Sequence, residues 1–100
     1  MNKQIHNIDL IRNYFISKPV LKAFLFGSAS RGEMSPESDM DILVELDYSV
    51  PIGLEFVQMQ LDLQDILQKK VDLVSANSLS KYMKPYIDQD KVLIYERSEG

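Results

Sequence analysis

No cysteine occurs among the 100 residues. That removes disulfide frameworks and thiolate metal sites, and it suits a reducing compartment such as the cytoplasm. Long apolar runs are missing as well. No stretch has the length needed to span a bilayer, and the opening MNKQIHNIDL lacks the apolar centre of a secretion signal, so neither export nor a membrane association is expected. Positive charge is scarce: 11 Lys and Arg stand against 15 Asp and Glu, for a net charge of -4. With no Lys/Arg stripe the chain is a poor grip for a nucleic-acid backbone, and no direct nucleic-acid binding is expected. Polyphosphate stays open to it where bound cations reverse the local field. Histidine is reduced to His6, ahead of the first helix and read as a surface residue.

What is present is an ordinary globular composition, 45% hydrophobic and 26% charged. The length suits a single domain, 1–100, around one core. Ile8, Ile11 and Phe15 fall at helical spacing, widened by Leu10 and Tyr14, with Asn7 as a cap and Lys18-Pro19 as a stop. Residues 20–26 are short, apolar and bounded by proline and glycine, which reads as a buried strand. A short helix is expected to start at Gly27-Ser28. Residues 39–46 alternate as a second strand: Met40, Ile42, Val44 and Leu46 face one way, Asp39, Asp41, Leu43 and Glu45 the other.

Residues 47–53 hold serine, proline and glycine and read as a loop. The longest helical pattern, 54–68, has a row Leu54, Val57, Leu61 widened by Phe56, Leu63, Ile66 and Leu67, with Lys69 and Lys70 suiting its C-terminal dipole. A third strand at 71–74, a helix at 78–90 broken around Pro85, and a last strand at 91–96 complete the chain. Such alternation predicts an α/β (α+β) domain: a small mixed sheet of about four strands covered on one face by helices. The other face carries Asp39 and Asp41, exposed or partly so.

Asp39 and Asp41, at i and i+2, put two carboxylates on one face roughly 7 Å apart along the strand. Like charges so close repel unless a cation sits between them. Hard divalent ions meet that need with oxygen ligands and substrate phosphates. Asp-x-Asp alone is common on solvated surfaces, and the pattern here lacks the glycine and third acid of an EF-hand loop. Gly27-Ser28 adds a second feature. Glycine lets a ligand approach the backbone, and the N–H groups of a starting helix beside a serine hydroxyl suit an anion. Arg31 has the geometry for a phosphate contact or for a solvated loop position. Glu45 reads as a strand-end surface charge, Asp62 and Asp65 as decoration on the exposed side of the long helix. Tyr14, Tyr82, Tyr86 and Tyr95 read as core or interface aromatics.

Gly27-Ser28 at a strand end, ten intervening residues, then Ser38-Asp39-Met40-Asp41 on the next strand resembles the signature of the polymerase-beta-like nucleotidyltransferase superfamily. The chain length resembles its minimal nucleotidyltransferase family, including antitoxins of that type, over residues 20–95 or so. The resemblance implies a third acid on a later strand, and Asp72 stands where it belongs. It also implies two Mg²⁺ ions held by Asp39, Asp41 and Asp72. The triphosphate of ATP would be bound at Gly27, Ser28 and neighbouring backbone, with Arg31 and Ser38 as further candidates. Asp72 would help activate the acceptor hydroxyl. Finally, the resemblance implies a partner: a HEPN-type toxin encoded nearby, which takes AMP on a tyrosine and is neutralised. Two alternatives stand beside this. The chain could neutralise a partner by masking it, without transfer, or it could transfer nucleotides to a small molecule or RNA within a larger complex.

Overall fold

The computed structural model describes residues 3–27 and 39–98, the side chains of 3–6 excepted. Its elements are α1 (Lys3–Phe15), β1 (Val20–Phe26), β2 (Met40–Leu46), α2 (Glu55–Leu67), β3 (Val71–Ser75), a 3-10 turn (Ala76–Ser78), α3 (Lys84–Asp90) and β4 (Val92–Glu96). The short helix expected after Gly27 lies outside the described residues. The strands form one sheet in the order β3-β2-β1-β4. β1 runs antiparallel to β2 and β4, whereas β2 and β3, joined through α2, are parallel. The expected mixed four-stranded sheet is therefore present.

Three expectations about the helices need correction. The first helix begins at Lys3, so Asn7 lies inside it and is not its cap. Ile5, three residues before Ile8, continues the apolar spacing one turn earlier, so the helical pattern runs back past Asn7. On α2 the buried row is Met59, Leu63 and Leu67, while Leu54, Val57 and Leu61 are exposed. Two sides of this helix are apolar, and periodicity does not choose which one meets the sheet. Pro85 stands in the first turn of α3 and opens that helix instead of breaking it; there its missing N–H would have had no intrahelical partner.

The main core lies on one sheet face. Ile11 and Phe15 of α1, with Met59, Leu63 and Leu67 of α2, cover Ala23, Leu25, Ile42, Val44 and Leu73. On the opposite face α3 sets Ile87 against Phe24 and Leu43, flanked by Phe26 and Val74. That second face is therefore roofed across its middle. Asp62 is more than decoration: it accepts hydrogen bonds from the Tyr14 hydroxyl at 2.5 Å and from Gln58 at 2.7 Å, tying α1 to α2. Burial first, then this carboxylate, pushes the Tyr14 phenol well above its ordinary range. Tyr95 is half-buried, but Tyr82 and Tyr86 are exposed and take no part in the core. No helix among the described residues is long and apolar enough to cross a membrane.

The sheet end away from Gly27 is tied by Arg97. Its guanidinium donates to Asp47 at 2.7 Å and to the Lys18 carbonyl at 2.9 Å. The Asp47 carboxyl is held down at about 2, first by the Ser49 hydroxyl and then by Arg97. A depressed carboxyl stabilises the fold above its ordinary value of 3.8, and that contribution is lost as pH falls towards about 2. Asp47→Asn should therefore lower the melting temperature at pH 7 by about 2–4 °C. Melting curves of both proteins should converge between roughly pH 4 and pH 2.

Candidate active site

β1 leaves the sheet at Gly27, whose φ of +69° is backbone that side chains with a Cβ rarely adopt. A Cβ built there would stand 2.7 Å from Oδ2 of Asp41. Glycine is thus required twice, by the turn and by the carboxylate that occupies the space. Phe26 pairs with Asp41 across the antiparallel register. Asp41 pairs in turn with Asp72 across the parallel one. Directly paired residues share a face, so Phe26, Asp41 and Asp72 form a row across three strands. Asp39 stands one residue before β2 and is exposed, with its Oδ2 3.9 Å from the Lys70 ammonium.

The neighbouring charges bear on Asp41. Its carboxyl is raised above the ordinary value, first by burial, then by the neighbouring Asp72, then by Asp39. Each cause penalises the ionised form. Carboxylates side by side on neighbouring strands are the donor chemistry of a hard divalent cation, whose charge would reverse that penalty. Magnesium fits this set by ligand type. Among the described residues no three acidic, histidine or cysteine side chains form a group that could hold a metal ion; the register pairs Asp41 with Asp72, while Asp39 lies beside Lys70.

Sequence reasoning missed two residues that place Asp72. The backbone N–H of Val71 donates to the Gln64 side chain at 3.2 Å, and that of Leu73 to Gln60 at 3.1 Å. Two glutamines one helical turn apart on α2 thus bracket Asp72 and cover outward-facing donors of an edge strand. Their i, i+4 spacing is about 6 Å and alternate strand donors are roughly 7 Å apart, so the match follows from helix and strand rise. The sequence holds the spacing; only the packing of α2 against β3 gives it meaning. Of the other candidates, Ser28, Arg31 and Ser38 lie outside the described residues. Glu45 sits at the far end of the same sheet face, as expected of a strand-end charge.

Comparisons with known proteins bear on the family and the fold. Residues 9–100 match the family described as polymerase beta, nucleotidyltransferase. One Methanocaldococcus jannaschii protein, provisionally named a protein adenylyltransferase, is 40% identical over 72 residues, covering 70% of this chain and 71% of its own. The protein adenylyltransferase MntA of Thermococcus cleftensis is 42% identical over 55 residues, 55% of this chain and 54% of that one. In fold, the chain resembles a solved structure provisionally described as a minimal nucleotidyltransferase, with a TM-score of 0.77, 22% identity, and coverage of 92% and 95%. It also resembles a chain from a complex of a tri-AMPylated Shewanella oneidensis HEPN toxin with an MNT antitoxin, with a TM-score of 0.67, 22% identity, and coverage of 93% and 72%. Those two likenesses speak for the fold alone. The family match spans nearly the whole chain and includes the glycine turn and the paired aspartates, so this chain belongs to the polymerase beta nucleotidyltransferase family.

Proposed function

We propose that this protein moves AMP from ATP onto a tyrosine hydroxyl of a HEPN-type partner and thereby neutralises it. The observation that carries the proposal is the register that sets Asp41 beside Asp72, with Gly27 against the Asp41 carboxylate. The names of the relatives support adenylyl transfer to protein, and the partner class is that of the HEPN complex sharing the fold. Asp39, Asp41 and Asp72 would hold the divalent ions, taken as two Mg²⁺. When bound, these supply charge neutralisation at the phosphates. Gly27 turns the chain at the corner where Ser28 and adjacent backbone hold the triphosphate, with Arg31 and Ser38 as outer contacts. The acceptor oxygen bonds to the α-phosphorus, the bond to the β-phosphate bridge breaks, and pyrophosphate leaves. The acceptor proton passes to Asp72. The chain's own part is positioning and electrostatic support of the transferring group.

The test is to incubate the purified protein with Mg²⁺, α-labelled ATP and its HEPN-type partner. Label on a partner tyrosine, lost with Asp41→Asn, is the expected result. Partner neutralisation that survives Asp41→Asn without label would replace transfer by masking, a reading for which the exposed row Leu54, Val57 and Leu61 on α2 offers a surface.

A further inference from the structure

The flanks of α3 differ, and one of them looks onto the carboxylate row. The helix crosses the second sheet face diagonally. It is entered from the turn after β3 and leaves into Val92, which pairs with Leu25 near the other end of β1. Ile87 is its contact with the sheet, resting on Phe24 and Leu43. On one flank Lys84, Asp88 and Lys91 line a cavity of about 360 Å³ with Leu21, Glu45 and Asn77. Leu21 lies near the start of β1, Glu45 near the end of β2 and Asn77 just after β3, so this cavity occupies the sheet end remote from Asp41 and Asp72. Ion pairs of Asp88 with Lys84 at 3.5 Å and Lys91 at 2.9 Å bind that flank together.

Successive helical residues turn by roughly 100°. Measured from Ile87, Lys84 and Asp88 therefore project to one side, and Met83 and Tyr86 to the other. That other side is turned away from the cavity, towards the end of the sheet at which Phe26, Asp41 and Asp72 form their row. Both residues stand in solvent, Tyr86 at 75% and Met83 at 55% exposure. The seven-residue helix and its N-cap residue thus leave an aromatic ring and a thioether in solvent on this flank, with no core role to explain them.

We infer that Tyr86, backed by Met83, is the face against which the nucleoside base of the bound triphosphate stacks. The inference rests on reading the carboxylate row as a nucleoside triphosphate site. With the triphosphate at Gly27 and the α-phosphorus over Asp41, the nucleoside continues past the carboxylates towards α3. A flat aromatic surface there gains contact with any base. An acidic site has little else to offer a purine ring, since its carboxylates favour metal and phosphate. Tyr86 is a binding residue in this scheme and takes no part in the bond changes.

Equilibrium titrations of the full chain with ATP and, separately, with inorganic tripolyphosphate, both with Mg²⁺, test this. Tyr86→Ala should weaken ATP binding about 10-fold or more, leave tripolyphosphate unchanged, and be rescued by Tyr86→Phe. Equal ATP binding by wild type and Tyr86→Ala would overturn the inference while leaving the triphosphate site standing. So would equal weakening for tripolyphosphate, failure of Tyr86→Phe, or an adenylyl group found on Tyr86 itself. If wild type binds neither ligand, the reading of the site fails first and the stacking surface with it.

Discussion

Asp41→Asn should cost transfer at least about 10³-fold and still raise the melting temperature. The two effects have one cause. Burial and the facing Asp72 and Asp39 raise the Asp41 carboxyl, so its ionised form is a burden on the native state. A raised carboxyl costs nothing below the unfolded value of 3.8 and its full penalty above the folded value. Asparagine keeps the shape and removes the charge. The variant should therefore melt about 2–5 °C higher than wild type at pH 7, and the gap should close as pH falls towards 4. Magnesium should raise the wild-type melting temperature at pH 7 and leave Asp41→Asn nearly unmoved. Chelation should undo the wild-type gain. Calorimetric melts with and without the ion, beside a transfer assay, read all four conditions. A variant less stable than wild type at neutral pH would mean that the carboxylates do not repel one another as their register implies.

Much of this site was legible in the sequence because its parts are local. A strand bounded by Pro19 and Gly27 and an alternating strand with Asp41 on its second face are short-range patterns. They survive folding because each burial pattern is satisfied within one sheet. Asp72 was reached through family resemblance, since an aspartate in a five-residue strand has no pattern of its own. The pairing of Asp41 with Asp72 depends on the parallel crossover through α2 and so on tertiary structure. The same dependence hid Gln60 and Gln64, whose role exists only where α2 meets the β3 edge. It also misassigned the α2 stripe: Leu54, Val57 and Leu61 are as apolar as Met59, Leu63 and Leu67, and the sheet accepts only the second set. The α3 roof over Leu43 was invisible for a related reason. One buried residue, Ile87, anchors that helix, and one residue makes no period.

Gly27→Ala should be the most damaging conservative change outside the carboxylates. Two separate penalties meet at this residue. Its φ of +69° disfavours any Cβ by about 1–2 kcal/mol. The added methyl would also lie 2.7 Å from the Asp41 Oδ2, closer than such contacts are tolerated, and the carboxylate must yield. Displacing a positioning group by an ångström costs transfer about 10²-fold, so turnover should fall at least that far with a lowered melting temperature. Asp41→Ala separates the penalties, since it removes the carboxylate that the methyl meets. In that background Gly27→Ala should retain only the backbone cost. Its effect on melting temperature should shrink measurably against the same change in wild type, a coupling readable from four melting curves. Additive losses would mean that the turn alone requires glycine. A reduced loss would identify the Asp41 carboxylate as the group for which the turn leaves room, and would make glycine at this corner part of how the acidic row is positioned.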